Sequence, residues 1–514
     1  MKTVSILNHV LGPVMRGPSS SHTAGAFHIG CMARSLLGGP PRRAVLAFDP
    51  AGSYAATYAA QGADRGFAMG LMNKPLTDES FFTALPDAAA AGVEIRFELR
   101  PLAGTDHPNT VELDLLSATG VTLKLVARSI GGGEVEIIRL ADQPVLFNGS
   151  AFEVLVEAPA DKNAAAQALL AGDGALLECS SHSASGGGVR LCARRKAQLP
   201  AATREKFQAL AAAVWESAPV YFVQTGQPLF ASAAEMVKCG ASLGRTALAY
   251  EAQLLGMSEA AVLAEMLRRY DIMARAVERG LAPDFSGLQL LPACAGKIFN
   301  AAAAGQLSSQ SLHTRAAARA LAVMHVDGAM GVVCAAPTGG SAGVIPGTLV
   351  TLAEERQLTR EQIGLALLAA GAVGLIVAQR ATFAAEVAGC QVEIGASGAM
   401  AAAAVVDALG GTARQACDAA AIAFQNTMGS VCDLLHGMVE IPCHTRNAVA
   451  AANAFINADL VLGGYPNLIP LDETIDAVYA VGRALPPELR CTSRGGLAVT
   501  PAAQKLKPGC PNCP

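Results

Sequence analysis

Ile363-Gly364-Leu365-Ala366-Leu367-Leu368-Ala369-Ala370-Gly371-Ala372-Val373-Gly374-Leu375-Ile376-Val377-Ala378 is the longest apolar run in the chain, and its reading decides the architecture. A membrane-spanning helix needs about 20 consecutive apolar residues, and this run falls short of that. It is rich in alanine and glycine, which let neighbouring helices approach closely. A helix that is apolar on every side and does not cross a membrane belongs inside a large helical core. The flanking sequence points the same way. Ala-rich segments recur at 207–215, 258–279, 312–324, 360–379, 396–409 and 412–425. Residues 203–500 are therefore expected to form one large, mostly α-helical domain. Residues 501–514, with Cys510 and Cys513, read as a flexible tail.

Towards the N-terminus the texture changes. Residues 1–150 alternate helical stretches such as 24–37 with strand-like ones at 44–48 and 121–126. Turn signals fall between them at Gly38-Gly39-Pro40-Pro41, Asp106-His107-Pro108-Asn109 and Gly131-Gly132-Gly133. This predicts an α/β domain. Residues 151–199 read as strand (152–156), helix (162–170), strand (175–179), a Ser/Gly-rich loop (180–188) and strand (189–193). Such a β-α-β-β unit suits a small regulatory module, and Pro200 marks the linker after it. The fold class expected for the whole chain is α+β.

Bulk composition narrows the function. The 514 residues are 52% hydrophobic and 16% charged, which argues for large buried cores and against disorder. A net charge of −4 without a basic stretch makes nucleic acid an unsuitable partner. The N-terminal stretch lacks the long apolar segment of a secretory signal, so a cytoplasmic protein that spans no membrane is expected. In that setting disulfides are not the default for the thirteen cysteines.

Two sets of residues carry chemistry. Arg16-Gly17-Pro18-Ser19-Ser20-Ser21-His22-Thr23-Ala24-Gly25 is a turn followed by hydroxyl side chains and a helical pattern. Serine and threonine cap helix starts, and a helix start also attracts anions. The stretch reads either as a cap or as a carboxylate-binding loop. The second set is Cys390 (Ala388-Gly389-Cys390-Gln391), Cys432 (Gly429-Ser430-Val431-Cys432-Asp433) and Cys443 (Glu440-Ile441-Pro442-Cys443-His444). No close Cys-x-x-Cys pair is present among them, which disfavours a zinc ribbon. Each stands at a Gly, Pro or polar break. Read alone, they are either buried structural cysteines or widely spaced ligands.

Together these stretches resemble the iron–sulfur-dependent L-serine dehydratases. Gly17 to Gly25 is similar to the opening signature of the family's β region, with Asp106-His107-Pro108-Asn109-Thr110 and Ser129-Ile130-Gly131-Gly132-Gly133 as later marks. Ala335-Ala336-Pro337-Thr338 to Gly347, the three cysteine segments and Thr492-Ser493-Arg494-Gly495-Gly496-Leu497-Ala498 resemble its α region. The marks run in order, with β before α in one chain. The resemblance implies a [4Fe–4S] cluster on Cys390, Cys432 and Cys443 with one iron open to act as a Lewis acid. It implies a small hydroxy-carboxylate substrate and a homo-oligomer. Ser19, Ser20, Ser21, His22 and Thr23 would form the substrate-carboxylate loop, with Asn447 and Arg494 as further substrate contacts. It also places an ACT-type module at 151–199, here degenerate because its glycine-containing effector turn is not evident.

Several positions depart from the family pattern. After Gly52-Ser53-Tyr54, Gln61 stands where a histidine is usual, and glutamine cannot titrate. Leu434-Leu435-His436-Gly437 replaces a Pro-Val-Ala-Gly type of sequence, which makes His436 a candidate replacement base beside His22. His444 follows Cys443, and Gly339-Gly340-Ser341-Ala342 replaces a cysteine-containing stretch. Serine dehydration is the leading expectation. Dehydration of another 2-(hydroxymethyl) acid, such as 2-(hydroxymethyl)glutarate with Arg65 or Arg446 on its second carboxylate, is the alternative. A non-catalytic iron–sulfur sensor is the third. Cys510 and Cys513 belong either to a plain tail or to one that reaches the open iron.

Overall fold

The computed structural model describes residues 3–184 and 187–509, so Cys510 and Cys513 lie outside the described residues. The chain is α+β. Its first helix, Ile6–His9, does not join the N-terminal sheet, as a domain running from residue 1 would require. Ile6, Leu7, Val10 and Leu11 instead bury in the helical core. There Ile6 and Val10 meet the glycine face of Arg360–Arg380, and a Cβ at Gly371 would lie 2.3 Å from Ile6 Cγ2. The buried Glu251 carboxylate accepts from the Ile6 and Leu7 backbone N–H groups at 2.8 and 2.9 Å, filling the donors that a short helix leaves open. Val14–Arg16 then pairs antiparallel with Val332–Cys334. The chain thus leaves the helical core at residue 16 and delivers the serine loop onto the boundary between the two regions.

A six-stranded sheet follows, in the order Glu94–Leu99, Pro41–Phe48, Thr110–Ser117, Thr122–Gly131, Glu134–Leu140, Gln143–Phe147. Only the first pair among these is parallel. Val111, Leu113 and Leu115 alternate inward along Thr110–Ser117, the period-two burial of a half-covered strand. Helices Gly25–Leu37 and Ala63–Met72 cover that face. Fully buried Phe48, Tyr54 and Phe67 fill the space between, each contributing roughly 2–3 kcal/mol of apolar burial.

The middle unit is larger than residues 151–199. Phe152–Pro159, Asn163–Ala171, Leu176–Ser183 and Gly188–Arg195 follow the expected β-α-β-β order. Helix Ala201–Ala209 and strand Ala213–Ser217 then complete a four-stranded antiparallel sheet in which Ala213–Ser217 lies beside Phe152–Pro159. The unit is β-α-β-β-α-β, the split arrangement of two such halves. Residues 207–215, read as one helix, divide. Ala211 adopts φ 55° and ends the helix, and Val214-Trp215 continue as strand against Val156-Leu155.

Helices from Leu243–Leu255 to Leu471–Ala484 make the remaining domain. At its centre Arg360–Arg380 packs on Ile394–Ala408. The apolar run lies within a helix of 21 residues, so its length alone would allow a membrane crossing. However, 83% of its apolar window is buried inside the protein. Thr359 and Gln362 close its N-terminus as a capping box.

Candidate active site and metal centre

Cys390, Cys432 and Cys443 come from three separate breaks in the helical domain and are 2%, 2% and 4% exposed. Cys390 opens the turn before Ile394–Ala408, and Cys443 is the first residue of Cys443–Leu462. Gly389 makes the first approach possible. It sits at φ 75°, and a Cβ there would lie 2.7 Å from the Ser430 carbonyl oxygen. The Cys390 and Cys432 thiols and the Glu393 carboxylate lie within 4.8 Å of one another.

A fourth thiol, Cys491, lies close to Cys432 on the adjoining loop. Its own backbone N–H donates to the Cys432 carbonyl at 2.9 Å. Arg446, one turn into the Cys443 helix, points a guanidinium N–H at Cys390 Sγ (3.7 Å) and donates to the Val431 carbonyl and to Asp433.

The thiols hold one another's protons in place. Contact with Cys432 and burial push Cys390 well above the ordinary thiol range. Burial, followed by the charge of Cys390, does the same to Cys443. Burial likewise pushes Glu393 up to about 8. Thiolates packed this closely need added positive charge, which a metal centre supplies by displacing the protons. Cysteine sulfur is also the donor of iron–sulfur clusters. The donor set therefore fits a metal centre of that kind.

Facing the thiols is the serine loop. Ser19 caps the turn Ser20–Ala24, accepting from the His22 N–H at 3.1 Å. His22 is 1% exposed; its Nδ1 lies 3.1 Å from Ser19 Oγ and its Nε2 3.1 Å from Ser53 Oγ. Glu386 Oε1 stands 4.0 Å from His22 Nδ1 and accepts from Asn109 Nδ2 at 3.3 Å. Burial lowers His22 to about 3, which leaves its ring neutral, and burial raises Glu386 above the usual carboxylate range. A cavity of about 190 Å³ opens here, lined by Ser53, Thr57, Glu386, Arg490, Cys491 and Arg494. A larger hollow of about 870 Å³ beside Gly25–Leu37 lies away from the four thiols.

The sequence candidates divide. His22 and Arg494 reach the cavity region, His22 through Ser53. The hydroxyls of Ser19, Ser20 and Thr23 are tied to protein partners: His22, the Gly339 N–H (3.3 Å) and the Gln61 carbonyl (2.6 Å). Ser21 is buried, and its carbonyl accepts from Tyr54. Asn447 is fully committed, donating to the Gly340 and Cys443 carbonyls and accepting from the Gly343 N–H. It braces the turn at 339–343 against the cysteine helix.

His436 is exposed, with φ 53°, and its Nε2 meets the Ala503 carbonyl at 3.0 Å. It does not line the cavity. Gln61 donates to the Gly437 carbonyl at 2.8 Å, so the departures at 61 and 434–437 touch each other. Arg65 donates to Met330 Sδ, and Arg446 is spent on the cysteine loops. Glu386, Glu393 and Cys491 escaped the sequence reading. Of these, only Cys491 carried a signal, as a cysteine next to the Thr492–Ala498 stretch.

This geometry agrees with the comparisons. The family model "Serine dehydratase alpha chain" matches residues 193–498, a range that includes the four thiols, Glu386 and Glu393. The probable L-serine dehydratase alpha chain of Bacillus subtilis (strain 168) is 41% identical over 260 residues, 51% of this chain and 87% of its own. The L-serine dehydratase alpha chain of Peptoniphilus asaccharolyticus is 38% identical over 238 residues, 46% of this chain and 82% of its own. L-serine dehydratase TdcG of Escherichia coli (strain K12) is 39% identical over 183 residues, 35% and 40% of the two chains. With the family's matched range enclosing the thiol cluster and its carboxylates, the chain belongs to the L-serine dehydratases, a family of lyases.

Proposed function

We propose that the protein converts L-serine to pyruvate and ammonia at a cytoplasmic iron–sulfur centre. The observation that carries this is the convergence of Cys390, Cys432 and Cys443 beside a small cavity that also holds Glu386 and the His22–Ser53 pair. Cys390, Cys432 and Cys443 would hold a [4Fe–4S] cluster, which when bound supplies a Lewis-acidic iron for the leaving hydroxyl.

The chain's own residues do the rest. Arg494, at the cavity wall, pairs with the substrate carboxylate. Ser19, Ser20, Ser21 and Thr23 form the rigid loop that presents His22. Neutral His22 takes the α-proton through the Ser53 hydroxyl, 3.1 Å from its Nε2. The carboxyl of Glu386, at the cavity wall, delivers the proton to the departing hydroxyl. Loss of water leaves an enamine, which becomes an imine and is hydrolysed to pyruvate and ammonia. Arg446 is already paired with Asp433, which takes that cation away from the second carboxylate of a diacid.

Supporting context comes from elsewhere in the chain. The eleven described cysteines are all unpaired, which suits a reducing compartment. Exposed apolar residues offer a surface for the expected homo-oligomer. Val449, Ile456 and Leu460 share one exposed face of Cys443–Leu462, and Leu468 (84% exposed) and Ile469 follow that helix in the chain.

The test is anaerobic reconstitution with iron and sulfide, followed by L-serine while pyruvate is measured. A brown protein that forms pyruvate is expected. A brown protein active only on 2-(hydroxymethyl) diacids would replace the substrate. One active on neither would favour a sensor. A colourless protein would overturn the centre.

A further inference from the structure

The hollow of about 870 Å³ beside Gly25–Leu37 takes no part in the chemistry described above. Its walls come from two regions. Arg34 and the helix end at residues 37–39 belong to the N-terminal α/β domain, and Arg204 and Trp215 belong to the middle unit. Its volume is that of a small-molecule site. Ser35 Oγ holds the two walls at a fixed spacing, accepting from the Ala218 N–H at 2.8 Å and donating to the Glu216 carbonyl at 3.3 Å.

The two cations on these walls are not equivalent. Arg204 pairs with the buried Glu216 carboxylate. Arg34, half-buried in the last turn of its helix, gives one guanidinium N–H to the Leu71 carbonyl at 3.3 Å and meets no carboxylate among the described residues. A cation drawn partly out of water without a counter-charge is unfavourable until an anion joins it. A guanidinium matches the two oxygens of a carboxylate. The same walls carry apolar groups: Val121, Val220 and Trp215, the chain's only tryptophan. An indole offers a broad apolar face.

Both walls lead to the serine loop. The helix that carries Arg34 in its last turn begins where the turn Ser20–Ala24 stops. Its 13 residues span about 20 Å as one rigid element. On the other wall, the residue after Val220 is Tyr221, whose hydroxyl donates to the Gly133 carbonyl at 2.8 Å. A Cβ at Gly133 would lie 3.6 Å from the Ala24 Cβ, at the end of the serine turn.

We propose that this hollow binds a small carboxylate with an apolar body, its carboxylate on Arg34 and its body against Trp215, and that occupancy shifts the serine loop and so the kinetics on L-serine. The second part rests on the dehydratase reading; the first does not.

The test uses the full chain, benzoate as the probe and the emission of Trp215 as the signal. Benzoate is expected to change the emission saturably. Benzamide, which lacks the charge, and inorganic phosphate, which lacks the apolar body, should leave it unchanged. Arg34→Gln should weaken benzoate about tenfold or more, the worth of a hydrogen bond to a charged group, and Arg34→Lys should weaken it less. No saturable change with benzoate, an equal change with benzamide or phosphate, or an unaltered affinity in Arg34→Gln would overturn the site. In the anaerobically reconstituted enzyme, benzoate should shift KM for L-serine several-fold in the wild type and not in Arg34→Gln, whose kinetics without benzoate should match the wild type. A shift that persists in Arg34→Gln would place benzoate at the catalytic cavity, and an unchanged KM beside an intact emission change would separate the hollow from the serine loop. Either result overturns the coupling and leaves the site. Wild-type enzyme that forms no pyruvate would overturn the dehydratase reading and the coupling with it, while the emission titration still decides the site.

Discussion

The serine loop at 19–23 and the cysteine loops at 389–393, 430–443 and 489–497 face each other, yet they are stabilised differently. The serine loop completes its own hydrogen bonding. Ser19, Ser20, Thr23 and the His22 ring meet neutral partners within the protein. The cysteine side brings together acidic groups that raise one another's proton affinity, with Arg446 as the cation that reaches Cys390. Networks whose members are all satisfied are rigid without help. Acidic groups packed together instead need an added cation, because taking charge out of water is costly unless it is compensated. The difference teaches a division of labour: one side is preorganised by the fold, the other is completed by what it binds.

Substitutions can break or sharpen that division. The largest effect is expected from Cys432→Ala, which should remove both the visible cluster absorbance and pyruvate formation. Turnover without absorbance would mean that the cysteine side needs no metal. His22→Ala comes next. The rate should fall by about 10²–10⁴-fold, the worth of a positioned acid or base, while the absorbance stays intact, because the serine side does not hold the metal.

His22 also sets a pH expectation. Burial lowers its pKa from 6.5 to about 3, so the ring is neutral well below neutral pH, and proton uptake there opposes the folded state only as pH falls below 6.5. The wild-type kcat/KM profile should therefore show no limb near 6.5 that disappears in His22→Ala. Finding such a limb would show that the serine side is wetter than its geometry indicates.

Asp433→Asn is a milder probe. The carboxylate ties Arg446 to the loop at 489–497, and weakening a charged hydrogen bond of this sort should raise KM by about tenfold. An unchanged KM in kinetics on the loaded enzyme would separate that loop from substrate binding. Gln61→Met should do least. It removes one neutral hydrogen bond to Gly437 across the two sides, worth about 1 kcal/mol in urea unfolding, with turnover kept. A loss of turnover as large as that of His22→Ala would make Gln61 a participant and not a strut.

Much of the fold was legible in the sequence because it rests on local pattern. The apolar run at 363–378 signals a core helix, and the strand-like stretches at 44–48 and 121–126 fall on Pro41–Phe48 and Thr122–Gly131. The 207–215 segment was misread because alanine favours helix locally, whereas Val214 and Trp215 gain more by pairing with Phe152–Pro159. The first helix was assigned to the wrong region for a similar reason. Ile6 and Val10 are ordinary apolar residues until Gly371 and Gly374 offer them a groove.

The sequence by itself determined the residue types of the site, three cysteines at chain breaks and a serine–histidine turn: capping imposes a local pattern on the turn, whereas the cysteines stood out through the family resemblance. Only the tertiary structure decided which groups share one space. Glu386 joins the site from a segment with no distinctive pattern, and Cys491 from beside the Thr492–Ala498 stretch. His436 and Asn447 leave the substrate side, the first to the surface and the second into a brace. Hydrogen bonds and sulfur contacts act over a few ångströms, and chain separation carries no information about that distance until the backbone has closed its loops.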